Sequence, residues 1–301
     1  MRSSRPSIRP DPMDGLLVRI KSRMFIHAHR KALHLLDGEY GSLVTGRSMD
    51  FEDLRSYVAG DEVRDIDWKA TARHGSTLVR RYTALRRQTV HFVLDTGRNM
   101  AARAADGEAK SEVALTIVGV LGYLAVRHGD EVSLLSGDSE RTIRLPARSS
   151  ENHLERVLRA IDAAHGLDAP PSDIDRALRL VARTVRRRAI VVVVTDDAVL
   201  GPEQTRLVRR LRAQHEMVWV TVGDLDPLRY AGAAAVDDGW QIPEALRGDR
   251  RLTAELTRSI DDGIRARQEM FDDLGVSHRR IGRVDDVVPS LLHLLKARSR
   301  A

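Results

Sequence analysis

The chain has 301 residues, 42% hydrophobic and 31% charged, enough for one large domain with extensions or two modest ones. It contains no cysteine, which excludes disulfides, thiol catalysis and thiolate metal sites and suits a reducing, cytoplasmic compartment. The net charge is +6, but 43 acidic residues are interleaved with 49 basic ones, of which only five are Lys, so no large single-sign block stands out. Aromatics make up 4%, so the core has to be built from Val, Leu, Ile and Ala. No run approaches the length of a transmembrane helix, and the first fifteen residues lack the apolar centre of a signal peptide, so a membrane is not required.

In chain order, residues 1–13 are Pro- and Arg-rich and read as a disordered tail. Residues 14–36 read as a helix capped by Asp14. Its basic polar positions would suit an anionic membrane surface, but packing on the following domain is the favoured reading. Residues 38–50 read as a Gly-rich loop, and residues 14–87 as a whole as an N-terminal helix and accessory region. From residue 88 to 301 the pattern is regular. "QTVHFVLD" is a buried strand ending at Asp95, and "SEVALTIVGVLGYLAVRHG" a helix apolar on nearly all sides. "DEVSLLSGDSERTIRLP" forms two strands joined by a turn, and Ser150 caps the next helix. Ile174, Leu178, Val181 and Val185 mark another helix. "AIVVVVTDD" is a central strand, a β-branched run without alternation, as expected when both faces are covered. A helix with Pro202 near its start, the strand "MVWVTVGD", a long helix over 252–274, an edge strand in "VSHRRIG" and a terminal helix complete the chain. Alternation of this kind predicts a mostly parallel α/β sheet with helices on both faces.

In such sheets ligands bind beyond the carboxyl ends of the strands. Asp95 ends one strand, Asp196 and Asp197 another, and if the strands are neighbours these acids share a rim. There is no P-loop, no dinucleotide fingerprint, no H-E-x-x-H helix and no G-x-S-x-G elbow. An aspartyl phosphotransferase wants a second acid two residues after its nucleophile, and that position is Gly97. A hard divalent cation such as Mg²⁺, held by hydroxyl and carboxylate oxygens, is the remaining chemistry. Other roles compete: Ser172 has the chemistry of a helix N-cap, Asp95 could accept from the "GRN" turn amides, and Asp196 and Asp197 could cap the next helix or pair with Arg98.

"DTGRNM" after a strand, "PSDIDRAL" opening a helix and "VVVTDD" ending a strand resemble the three ligand segments of a von Willebrand factor A domain. The resemblance implies that fold and a metal-ion-dependent adhesion site made from Asp95, Asn99, Ser172 and Asp196. The site is degenerate, because Gly97 stands where the family carries a Ser, so the cofactor is none or a weakly bound Mg²⁺.

A second resemblance lies upstream. Arg55, Tyr57, Gly60, Asp61, Arg64, Ile66, Asp67, Trp68, Ala72 and Arg73 match the signature of domain-of-unknown-function family 58. With the A-domain-like part, the resemblance covers about residues 38–295. It implies a chaperone-like, non-enzymatic adaptor or assembly factor that acts with a MoxR-type AAA+ ATPase on an unknown client protein. Read from its residues, the stretch gives a helix capped by Asp61, with Val63, Ile66 and Ala70 as one stripe and an Asp65–Lys69 pair. Trp68 either clasps the segment to the A-domain's flank or joins Arg55, Tyr57, Arg64 and Arg73 in a partner surface, since Trp, Tyr and Arg are the usual hot-spot types.

Two rival functions stay open. One is a Mg²⁺-dependent phosphotransferase or nuclease at the Asp95, Asp196 and Asp197 rim, which lacks a visible lysine clamp or general base. The other is a nucleic-acid binder using "TVRRRA" and "RLVRRLRAQ". Solvated helix faces explain those runs, and aromatics for base stacking are scarce, so no nucleic-acid partner is expected.

Overall fold

The computed structural model describes residues 15–27, 30–45, 54–58, 63, 66–80, 87–197, 199–228, 230, 234–236, 239, 241–243 and 249–299. A six-stranded sheet organises the molecule. Its strands are β3 (Thr89–Asp95), β4 (Glu131–Gly137), β5 (Thr142–Arg148), β6 (Ile190–Thr195), β7 (Glu216–Val222) and β8 (Ser277–Ile281), in the order β5-β4-β3-β6-β7-β8. Every neighbouring pair is parallel except β4 with β5, whose short turn permits the antiparallel return. The order is that of a doubly wound fold, with the switch between β3 and β6.

The unbroken apolar run of β6 has a direct cause. Ile190, Val192 and Val194 point into one core and Val191 and Val193 into the other, so no position on the strand faces water. The first core is closed by α1 (Leu16–His27), α2 (Arg30–Thr45), α4 (Lys110–Arg127), α5 (Glu151–Ala164) and α9 (Val287–Ser299). The second is closed by α6 (Ile174–Thr184), α7 (Pro202–Gln214) and the end of α8 (Arg250–Asp273). In α4 nearly every side is buried because it lies between the sheet and α1 and α5. At Gly119 a Cβ would collide with Ile20, so the small residue sets how closely α1 approaches.

The N-terminal part differs from expectation. Every described residue from Leu16 to Leu36 is helical, as expected, with residues 28 and 29 outside the described residues, but the Gly-rich loop expected from residue 38 is not a loop at its start. α2 runs on to Thr45, through Gly38 and Gly41. Leu36 and Tyr40, one turn apart, are both buried, and the Tyr40 hydroxyl donates to Asp130 Oδ2 at 3.0 Å, which holds the second half of the helix on the domain. Asp14 lies outside the described residues. The first amides of α1, on Leu16 and Leu17, donate to the Glu155 carboxylate of α5 at 3.1 and 2.8 Å, so a neighbouring helix supplies the cap.

The signature segment is also built differently. Ile66 is not on a helical stripe. It makes a β-bridge to Val79, which on its other side pairs with Arg55, joining β1 (Leu54–Ser56) and β2 (Leu78–Arg80). The helix α3 (Trp68–His74) starts only after this bridge, and its cap is Asp67, whose Oδ1 accepts from Lys69 and Ala70 at 3.1 and 3.0 Å. Asp61 and Asp65 lie outside the described residues. Val63 is 65% exposed, so the stripe of Val63, Ile66 and Ala70 does not exist.

Candidate functional site

The ends of β3 and β6 lie side by side, and the three segments singled out in the sequence meet there. Asp95 is the last residue of β3 and Asp196 follows β6, and the Asp196 charge is felt at the Asp95 carboxyl. Ser172 comes from the loop between α5 and α6. That loop is pinned to the rim by hydrogen bonds from the Arg98 amide to Pro170 O at 3.0 Å and from the Ser139 amide to Pro171 O at 2.9 Å. Ser172 is not a helix cap, because Asp173 performs that task for α6 and accepts from the Arg176 amide. The Ser172 hydroxyl therefore turns to the rim. It is buried beside Asp95 and steadies that carboxylate's charge, although no partner meets it in regular hydrogen-bond geometry.

Asp95 is 3% exposed, and burial pushes its carboxyl up to about 7. The Gly97 amide, donating to Oδ1 at 2.8 Å, opposes that rise, the Asp196 charge adds to it, and the Ser172 hydroxyl again opposes it. The turn amide expected to serve Asp95 does so. Asn99 sits half-buried on a 3-10 turn (Arg98–Ala101) and lines, with Asp196, a cleft of about 1320 Å³.

These residues make a poor cage for a divalent cation. A Cβ at position 97 would fall on the backbone N and Cα of Ser172, so the loop occupies the space where a ligating side chain would stand. Two carboxylates, a hydroxyl and an amide oxygen remain, and among the described residues no three His, Cys, Asp or Glu are placed to hold a metal.

Asp197 has a different role from either expected one. It neither caps α7, which begins behind Gly201 with Gln204 Oε1 accepting from the Gly201 amide, nor is it held by Arg98. Arg267 Nη1 donates to it at 2.7 Å, Arg280 Nε reaches both of its oxygens at 2.9 Å, and the Asp224 amide donates at 2.8 Å. Burial alone would raise this carboxyl, but the Arg280 hydrogen bonds and charge, the Asp224 amide and the Arg267 charge together outweigh burial and hold it below the usual range. Asp197 thus ties α8 and β8 to the rim.

A lysine that the sequence did not single out lines the same cleft as Asp196 and Asp197. Lys110, the first residue of α4, is 1% exposed on the floor of the cleft, and its Nζ is paired with Asp224. The Asp224 side chain is half exposed; the desolvation it does undergo beside the cleft raises its carboxyl, and the Lys110 charge opposes that rise. Lys110 has one sequence signal: it is among five lysines in an Arg-dominated chain and opens a helix that is otherwise apolar nearly all round.

The upstream signature residues lie apart from these rim residues in the chain. Asp67 caps α3, Arg73 is exposed in its last turn, Tyr57 is 41% exposed, and Trp68 is 63% exposed. Of the two readings of Trp68, an exposure this high favours the partner surface over a clasp on the domain's flank. The side chain of Arg55, and Gly60, Asp61 and Arg64, lie outside the described residues.

A helix-covered parallel sheet of this order, with an antiparallel edge strand and an Asp, a Ser and an Asp gathered at its switch point, defines a von Willebrand factor A-like domain. The family model described as "Protein of unknown function DUF58" matches residues 53–239, and the chain belongs to that family. An uncharacterized protein of Mycobacterium tuberculosis, Rv1480, is 29% identical over 267 residues, 84% of this chain and 82% of its own. Among solved structures, BatB of Bacteroides thetaiotaomicron is similar at 13% identity and a TM-score of 0.45, over 71% of this chain and 100% of that one. A von Willebrand factor type A protein of Catenulispora acidiphila is similar at 12% identity and a TM-score of 0.39, over 74% and 44%.

Proposed function

We propose that this protein is a non-enzymatic protein-binding adaptor or assembly factor that acts in the cytoplasm beside a MoxR-type AAA+ ATPase. The observation that carries this reading is the exposure of Trp68 on a segment folded by its own pairing. An indole 63% exposed, with Tyr57 at 41% and Val58 at 60%, is apolar surface of the kind that marks an interaction site. The segment's order has internal causes, the Ile66–Val79 bridge and the Asp67 cap, so Trp68 and Tyr57 are not needed to hold it together.

The rim contributes a degenerate adhesion site that makes contacts with a weakly bound Mg²⁺ or none. Phosphoryl chemistry is not favoured, because the cations near the acids are engaged: Lys110 by Asp224, and Arg267 and Arg280 by Asp197. Among the described residues no helix is long and apolar enough to cross a membrane.

The test is affinity capture from the native cell with the wild type, Trp68→Ala and Tyr57→Ala. A MoxR-type ATPase captured by the wild type and lost with Trp68→Ala, at an unchanged melting temperature, supports the assignment. An ATPase retained equally by all three proteins, or captured by none, refutes it.

A further inference from the structure

The first four turns of α8 carry an apolar stripe that the domain covers only in part: Leu252 is exposed and Leu256, Ile260 and Ile264 are half-buried. Leu252, Leu256, Ile260 and Ile264 recur at four-residue steps, on one side of the helix. Yet Phe271, in the last turn, is the one buried residue of α8, and Leu252 is 39% exposed. Leu256, Ile260 and Ile264 form a wall of the 1320 Å³ cleft beside the rim. A second cavity of about 360 Å³, lined by Leu228, Ile242 and Pro243, continues it past Leu252 and shares Leu256 and Ser259 with the first. Together they make one groove from Leu252 to Arg267, roughly 22 Å long at the rise of an α-helix. That length accepts about four turns of helix.

The charges lining the groove select its occupant. A phosphate-bearing ligand needs available cations, and among the described residues three of the four basic side chains on the groove are held internally, Lys110 by Asp224 and Arg267 and Arg280 by Asp197. The fourth, Arg103, donates to the Gly107 carbonyl. Among the described residues six acidic side chains line the groove, Asp196, Asp197, Asp224, Asp226, Asp261 and Glu255, against those four basic ones, so even with Asp197 and Asp224 answered by their own cations the lining is net negative on a chain whose net charge is +6. Glu255 and Asp261 are exposed and flank the apolar stripe.

We infer that this groove binds an amphipathic helical segment of a partner protein, with apolar residues at helical spacing and Lys or Arg beside them. Helix-in-groove docking places the apolar anchors against Leu256, Ile260 and Ile264, and the acidic border attracts and orients the basic side chains. The inference does not depend on the ATPase partnership, which uses the Trp68 surface.

The test uses the full-length protein and fluorescence anisotropy with two labelled four-turn peptides, one built from Leu and Lys in an amphipathic pattern and its Leu/Glu counterpart. The expected result is saturable binding of the Leu/Lys peptide, weakened by high salt, and none of the Leu/Glu peptide. Ile260→Asp should weaken binding about tenfold or more, as for the loss of an anchor. The double variant Glu255→Lys/Asp261→Lys, which touches only exposed side chains, should weaken it several-fold without altering the circular dichroism melt. No binding of either peptide, equal binding of both, or affinity unchanged by both variants overturns the inference. A concentration-dependent dimer in sedimentation that Ile260→Asp dissolves also overturns it, by assigning the groove to a second copy of the chain.

Discussion

Gly97→Ser restores the hydroxyl that an adhesion-type site carries at this position, and the structure says the restoration should fail. The backbone at Gly97 has φ −66° and ψ 168°, a conformation open to any residue, so torsion does not demand glycine here. Space does. The new Cβ would overlap the backbone N and Cα of Ser172, on a loop fixed by the Arg98–Pro170 and Ser139–Pro171 hydrogen bonds. The obstacle is backbone rather than a flexible side chain, so the cost lies at or above the top of the usual overpacking range, about 3 kcal/mol. For a domain of this size that is a fall in melting temperature of roughly 6–12 °C. The assay is thermal unfolding of wild type and variant with and without millimolar Mg²⁺. The expected outcome is a large loss in the variant in both conditions and little Mg²⁺ effect on the wild type. A Gly97→Ser protein that melts with the wild type and gains stability with Mg²⁺ would show that the loop yields and the metal pocket is open, and the packing account would be wrong.

Three further outcomes follow from the charges. Asp95 titrates at about 7 in the native state and near 3.9 unfolded, so between these values the native state holds a proton that the unfolded chain releases; stability attributable to Asp95 falls as pH rises through that window, and Asp95→Asn should exceed the wild type by a few kcal/mol above it and match it below about pH 4, read from urea midpoints. Asp197 has the opposite sign: its depressed pKa contributes stability that is present above the unfolded value and lost as pH falls through the native one, and Asp197→Ala, which leaves Arg267 and Arg280 without their carboxylate, should cost roughly 3 kcal/mol in the same measurement. Asp224→Ala should destabilise more than Lys110→Met, because the first strands a buried ammonium whereas the second leaves a carboxylate 51% exposed and able to hydrate; equal losses would contradict the pairing.

Much of this architecture could be read in the sequence because its causes are local. The uninterrupted Ile190–Thr195 run, the all-round apolar α4 and the Ser150 cap each state their own environment, and the rim follows from where the strands end. What could not be read depends on partners far along the chain. Gly38 and Gly41 suggest a loop, but Tyr40 reaches Asp130, 90 positions away, and keeps the helix going. Ser172 offers cap chemistry, but Asp173 is one residue nearer the helix start, which releases the hydroxyl to the rim. Asp197 and Lys110 found partners 70, 83 and 114 positions away, which no local pattern encodes. The α8 stripe was visible at its spacing, but periodicity tells that a face is apolar and not whether anything covers it.

The rim and the surface divide the work in a consistent way. At the strand ends several strong charges near the cleft are answered from within: Lys110 neutralises Asp224, Arg267 and Arg280 neutralise Asp197, and Asp95 lowers its own cost by keeping a proton toward neutral pH. Gly97 lets the Ser172 loop close over this arrangement. A rim satisfied in that way has little electrostatic energy to spend on a new ligand, since binding would first have to break pairs that already exist. On the proposed reading most of the energy for association comes from apolar surface, at Trp68 and Tyr57 on the signature segment and along α8 beside the cleft, with the exposed Glu255 and Asp261 left to orient a partner. That distribution supports the proposed reading of a protein-binding adaptor, with Asp197 and Asp224 helping to fix the framework on which the two surfaces are carried.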